Sequence, residues 1–246
     1  MENQNKQGTL AGKKVILLGG SSGFGLATAK AAAAAGAQVV IVSSNQLRVN
    51  EALQQLPAGS QGHAIDLGQE TNIKAFFEQA GAFDHLVYTA AENLRLHNLS
   101  DTDLAAARNF FNLRYWSALA AVKYATPHIQ PGGSINLSSG IAGQRPGKGW
   151  VIAASICSAM EGLVRALAVE LAPIRVNSVV PGVVKTNLWN SMPDADRESL
   201  YKNVGDSLLV KRVGEAEEIA QAFMYLMLQQ FGTGQNIVID GGAALV

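Results

Sequence analysis

The 246-residue chain has one cysteine, Cys157, four histidines and seven prolines. A single cysteine excludes an internal disulfide and a cysteine-built zinc site, and it fits a reducing, cytoplasmic setting. His63, His85, His97 and His128 stand at no metal-ligand spacing, so no catalytic metal is expected. Charge is also scarce: Asp, Glu, Lys and Arg make up 15% of the chain, and nineteen basic residues balance nineteen acidic ones. A chain of zero net charge offers no electrostatic footprint for a polyanion, so neither nucleic acid nor a membrane surface is expected as a partner. No apolar run reads as long enough to span a bilayer. Residues 1–10 are polar and lack the basic start and apolar stretch of a signal peptide.

What is abundant is apolar. Hydrophobic residues are 48% of the chain, too many for a disordered protein and suited to a deeply buried sheet or an oligomer interface. Short β-branched runs at 15–18, 39–42, 63–66, 85–88, 134–137, 175–180 and 236–240 alternate with helix-length, alanine- and leucine-rich segments, notably 23–35, 103–128, 153–171 and 215–228. That alternation predicts an α/β fold with a Rossmann-type doubly wound parallel sheet of about seven strands. It forms a single domain over 11–246, after a polar tail at 1–10. The runs at 15–18 and 39–42 are apolar without alternation, as in central strands covered on both faces. Ser100, with Asp103 three positions on, predicts a helix start with a side-chain cap. The pattern weakens over 186–213, where Trp189, Met192, Pro193 and Tyr201 stand among polar residues. This segment follows a strand end, where ligands bind in open α/β sheets, so it reads as a flap over the substrate.

Directly after the first strand comes Gly19-Gly20-Ser21-Ser22-Gly23-Phe24-Gly25, leading into a helical run. Glycines allow the tight turn and let backbone amides approach a pyrophosphate, whose charge the helix start favours. The Gly-x-x-x-Gly-x-Gly order resembles the short-chain dehydrogenase/reductase family, and ordered motifs continue the resemblance from about Gly12 to Gly242. The resemblance implies that Asp66 and Leu67 lie beside the adenine. It implies that Asn112 is the structural and catalytic asparagine and Ser139 the catalytic serine. Pro181, Gly182, Val183 and Thr186 would touch nicotinamide and pyrophosphate. Ala90 and Ala91 would flank the nicotinamide ribose, in a Tyr88-Thr89-Ala90-Ala91 run where the family has Asn-Asn-Ala-Gly. It also implies a small-molecule substrate and a homo-oligomer, tetramer or dimer.

An acidic side chain at the second strand end would select NAD by accepting from the ribose 2′-OH. Here Ser43, Ser44, Asn45 and Arg48 offer polar groups and a cation instead, so NADP is the expected cofactor.

The family takes its proton from the Tyr of a Tyr-x-x-x-Lys pair. In the family-like alignment Ala153 stands at the Tyr position and Cys157 at the Lys position, and no tyrosine occurs between Tyr124 and Tyr201. Tyr88, Lys148, Ser155 and Cys157 are the candidate substitutes. Tyr88 is preferred because its strand end should face the nicotinamide. The expectation is an atypical short-chain oxidoreductase moving hydride between NADP(H) and a small organic carbonyl, imine or quinone-like substrate. A catalytically silent NADP(H)-binding sensor or scaffold is the alternative.

Overall fold

The computed structural model describes residues 9–94 and 96–246. The chain alternates strand and helix: β1 (Lys14–Leu18), α1 (Gly23–Ala34), β2 (Gln38–Ser43), α2 (Gln46–Leu53), β3 (Gln61–Ala64), α3 (Glu70–Ala80) and β4 (Phe83–Tyr88). It continues through α4 (Leu104–Phe111), a π turn over Asn112–Trp116, α5 (Ser117–Ala125), β5 (Ile129–Ser138), α6 (Val151–Glu170) and β6 (Arg175–Pro181). Two-residue strands β7 (Val184–Lys185) and β8 (Gly214–Glu215) flank α7 (Asp194–Ser207), and α8 (Ala216–Leu228) leads to β9 (Asn236–Ile239).

Seven parallel strands pair in the order β3-β2-β1-β4-β5-β6-β9. Successive side chains of a strand point to opposite faces, which divides the apolar residues of β1 between two cores. Ile16 and Leu18 pack with Phe77 of α3, Val122 of α5 and Met160 of α6 on one face. Val15 and Leu17 pack with Ala29 of α1 and Phe223 of α8 on the other. Both faces are therefore covered, and the polar backbone ends of the strands are left at the sheet edge where the loops gather.

Several expectations need correction. Leu10 is buried and its amide donates to Ala35 O at 2.8 Å, so the polar tail ends before it. The third strand ends at Ala64 rather than 66. Helix 103–128 is interrupted by the π turn, which is one residue looser than an α turn and rotates the helix beyond it. Its cap is Asp103, whose carboxylate accepts from the Ala105 and Ala106 amides, while Ser100 donates to Asp101. Helix α6 is, by length and composition alone, apolar enough to cross a bilayer, contrary to the sequence reading. It carries Glu161 and Arg165 and packs Ile156, Met160 and Val164 into the sheet core. The segment 186–213 contains the whole of α7.

Within the core, His85 of β4 faces Ser134 of β5, with Nδ1 2.9 Å from Ser134 Oγ, and Ser134 Oγ also accepts from Asn136 Nδ2 at 2.8 Å. Burial lowers the His85 pKa to about 4, so the folded protein holds it neutral. An unfolded histidine takes up its proton near pH ~6.5. The stability this residue supports is thus present above that pH and is lost as pH falls toward 4. We expect urea unfolding to show up to about 3 kcal/mol lost across that window. His85→Gln should flatten this limb, and an unchanged slope would contradict the assignment.

Candidate functional site

A cleft of about 290 Å³ runs along the C-terminal ends of the strands. At its floor, Gly19 has φ +93°, and a Cβ there would come within 2.5 Å of Ala90 N. A Cβ at Gly25 would collide with Gly19 O. The turn after β1 therefore presses against the end of β4 and against its own helix, which only glycine allows. Ser22 occupies the capping position of α1 without a side-chain cap hydrogen bond, and the first turn of α1 has no acidic residue. The first-turn amides that a helix leaves unpaired are thus available to an anion, and the helix dipole favours one. Together the glycine cradle and the uncapped helix start fit a dinucleotide pyrophosphate.

Gly19, Ser21, Ser22, Gly23, Phe24, Gly25, Ser43, Ser44, Arg48, Asp66, Leu67, Ala90, Ala91, Ser139, Pro181, Gly182, Val183 and Thr186 all line this cleft. Ser21 Oγ donates to Ser43 Oγ at 2.8 Å, joining the glycine turn to the end of β2. Asp66 Oδ1 accepts from Gly68 N at 2.8 Å and closes the turn after β3.

Three expected site residues are not on the cleft. Asn45 caps α2, its Oδ1 accepting from Arg48 N at 3.1 Å, so it shapes the turn that presents Arg48. Asn112 sends its Nδ2 to Gly68 O at 2.9 Å, which makes it a brace for the Asp66 turn. Tyr88 is 1% exposed and its hydroxyl donates to Leu113 O at 2.5 Å. Burial pushes its pKa well above the usual phenol range, so Tyr88 holds β4 to the π turn and is no proton donor. Strand alternation sends it into the core on the α5 and α6 side rather than toward the cleft.

Of the other substitutes, Ser155 donates back to Val151 O within α6 and Lys148 does not line the cleft, whereas Cys157 does. Ser139 Oγ donates to Cys157 O at 3.0 Å, and Ser138 Oγ donates to Tyr88 O at 3.0 Å. Ala153 and Trp150 complete that end of the cleft. Burial pushes the Cys157 thiol up, with the nearby Arg114 charge pulling the other way. No tyrosine, lysine or histidine is among the described residues lining the cleft.

The sequence reading missed Arg114, which lines the cleft between Leu113 and the loop after β4. Its adjacency to the Asn112-Leu113 motif was a signal, but the π turn that aims it was not legible. The segment 186–213 forms the outer wall through Thr186, Asn187, Leu188 and Trp189. The Trp189 indole donates to Val184 O at 3.0 Å, and Leu94 N donates to Leu188 O at 3.2 Å. Where the segment leaves the sheet, β7 pairs with β8 and Lys185 meets Glu215 at 2.7 Å.

A family profile described as enoyl-(acyl carrier protein) reductase matches residues 19–244. The chain belongs to the short-chain dehydrogenase/reductase family. The short-chain dehydrogenase/reductase ATR9 of Stachybotrys chlorohalonatus is 34% identical over 252 residues, covering 96% of this chain and 99% of its own. The short-chain dehydrogenase/reductase fsr5 of Gibberella fujikuroi is 30% identical and covers 96% of each. Among solved structures, a small-chain dehydrogenase in complex with NADPH is 32% identical at a TM-score of 0.85, with 95% of this chain and 99% of that one covered. The MalC reductase/Diels-Alderase of Malbranchea aurantiaca is 28% identical at a TM-score of 0.90, with 98% and 99% covered. As a member of this family the chain is an oxidoreductase of the short-chain type.

Two variants test the site. Gly25→Ala should weaken dinucleotide binding at least about tenfold in a fluorescence titration, because the added Cβ collides with Gly19 O. Tyr88→Phe should cost about 1 kcal/mol in stability for the lost hydrogen bond and leave kcat/KM within about threefold, since a proton donor would contribute at least a hundredfold, roughly.

Proposed function

We propose that the protein is an NADPH-dependent reductase with a non-standard active site. It delivers hydride to a small organic carbonyl, imine or quinone-like acceptor that demands little acid. The observation that carries this reading is the reaction end of the cleft, where Ser139, Ala153 and Cys157 meet without a phenol or ammonium among the described lining residues. By the family resemblance, 153 and 157 are the places of the proton donor and its lysine. Bound in the cleft, the reduced dinucleotide supplies the hydride.

The chain's own residues do the rest. Ser139, fixed by its bond to Cys157 O, keeps its oxygen lone pairs for a donor on the acceptor or on water. A thiol held neutral by burial is a poor acid at neutral pH, so Cys157 shapes the cleft rather than protonating the product. A positioned acid typically contributes about 10²–10⁴-fold, so a simple ketone, whose reduction leaves a strongly basic alkoxide, is the acceptor this site serves worst.

Ser43, Ser44 and Arg48 support NADPH over NADH, since they bring hydroxyls and a cation to the ribose end. The NADPH complex of the structural neighbour supports the same choice. The fully exposed Phe231, with Val169 and Tyr225 also exposed, supports assembly into a homo-oligomer. The absence of a proton donor among the described lining residues equally favours a second reading, an NADP(H)-binding sensor or scaffold without turnover.

The test is a fluorescence titration with NADPH and NADH, followed by cofactor oxidation with ketones, iminium compounds, enones and quinones. NADPH should bind more tightly than NADH, and Arg48→Gln should weaken NADPH alone by about tenfold. Turnover of the acid-independent acceptors over ketones supports the reductase. Binding without turnover supports the sensor, and failure to bind either dinucleotide overturns both.

A further inference from the structure

Arg114 is the one cation at the reaction end of the cleft among the described residues, Arg48 lying at the far end with Ser43 and Ser44. The way it is held is unusual for a surface arginine. Its side chain is 19% exposed. Nε lies 3.3 Å from Glu92 Oε2, Nη2 donates to Glu92 O at 2.5 Å, and the guanidinium carbon stands 4.3 Å over the Phe110 ring. Neither Nε nor Glu92 Oε2 completes a well-aligned hydrogen bond with a described residue. The carboxylate therefore acts as a charge clamp on one edge of the fork. No described residue accepts from Nη1, and Arg114 is among the residues that line the cleft, so that edge is the one a group bound there would meet.

Burying a guanidinium is costly unless charge and hydrogen bonds compensate. Glu92 and Phe110 supply part of that compensation, Phe110 lining the cleft beside Arg114. No second carboxylate pairs with the guanidinium among the described residues. The π turn that carries Arg114 packs against α6, which carries Ala153 and Cys157, and Arg114 lines the same cleft as these two and Ser139, so its charge lies at the part of the cleft where the acceptor would sit.

We infer that Arg114 is the oxyanion-binding group of this site, and that the acceptor is a conjugated carbonyl compound, an enone or a quinone, rather than an iminium ion. This inference rests on the reductase reading above and narrows it. When hydride adds to the β-carbon of such an acceptor, the C=C pair shifts to form a new double bond and the carbonyl pair moves onto oxygen. The acceptor gains two electrons from the reduced nicotinamide, and the product is an enolate. A quinone instead takes the hydride at one carbonyl oxygen, its ring pairs shift to the aromatic arrangement, the other carbonyl pair moves onto its oxygen, and the product is a phenolate. At oxygen either anion is far less basic than the alkoxide left by a simple ketone, so a fixed guanidinium can stabilise it without giving up a proton, which arginine cannot do. The proton comes from water afterwards. An iminium ion gains nothing from this arrangement, because it arrives with a positive charge and leaves as a neutral amine.

The test uses p-nitrophenol, a phenol that ionises near neutral pH and changes colour when it does, as a mimic of the anionic product. In the NADP⁺-saturated protein, bound p-nitrophenol should favour its phenolate about tenfold, lowering its apparent pKa by about one unit. Arg114→Gln should abolish that preference and Arg114→Lys should keep part of it. Because Arg114→Gln strands the Glu92 carboxylate, the double variant Glu92→Gln/Arg114→Gln serves as its folded control, with NADPH affinity confirming an intact cofactor site. In turnover, Arg114→Gln should lower kcat/KM for enones and quinones about a hundredfold, and by more than it lowers any iminium reduction. A wild-type protein without phenolate preference, the same preference in the variants, or iminium reduction exceeding enone reduction would overturn the inference. NADPH binding separates the two levels: if NADPH binds and the phenolate preference is absent, only the role of Arg114 falls.

Discussion

The turn after β1 crosses the end of β4 so closely that a side chain at Gly19 would stand 2.5 Å from the Ala90 amide. That contact decides where everything else at this edge of the sheet can lie. It brings the start of α1 down onto the strand ends, where Gly23, Phe24 and Gly25 line the cleft. It places Ser21 beside Ser43, so that the turn and the end of β2 form one polar wall. It also sets the β4 loop, with Ala90, Ala91 and Glu92, directly opposite the π turn that carries Arg114.

The fold was legible because the runs that form β1 and β2 are apolar without interruption, and the glycine turn announces the crossover beyond them. Position along a strand was legible too, but the side it faces was not. Tyr88 sits at a strand end, as read, yet pairing with Leu18 and Leu137 turns its ring into the core, and its hydroxyl satisfies the Leu113 carbonyl in the π turn. Asn45 was read as a cofactor contact and Asn112 as the structural and catalytic asparagine; each side chain here hydrogen-bonds the backbone of a turn, because a short polar side chain beside a turn is as useful to the backbone as to a ligand. Arg114 went unread for the converse reason: in a regular helix it would take another direction, and the looser π turn has no composition of its own.

The electrostatics of the cleft are concentrated in few groups. Asp66 is committed to its own turn, while Cys157 is held neutral. What remains at the reaction end is a guanidinium clamped by a carboxylate and a set of oriented hydroxyls, Ser138 and Ser139, each donating to a backbone carbonyl. Among the described residues, this end of the cleft offers oriented hydroxyls and one guanidinium. Away from the cleft, the buried His85 ties the protein's stability to pH.

The outer wall has a different relation to the rest of the molecule. The chain leaves the sheet at β7 and returns at β8, and those two strands pair with each other, with Lys185 and Glu215 bridging beside them. Everything from Thr186 to Val213 is thus an excursion whose two feet stand side by side. Lengthening such a closed excursion costs little, because the entropy of joining its ends rises only slowly with length. Thr186 stays with the dinucleotide cradle, where it faces Gly23, but beyond it the wall is in effect a modular part: its length can change at little entropic cost, and with it the range of molecules admitted.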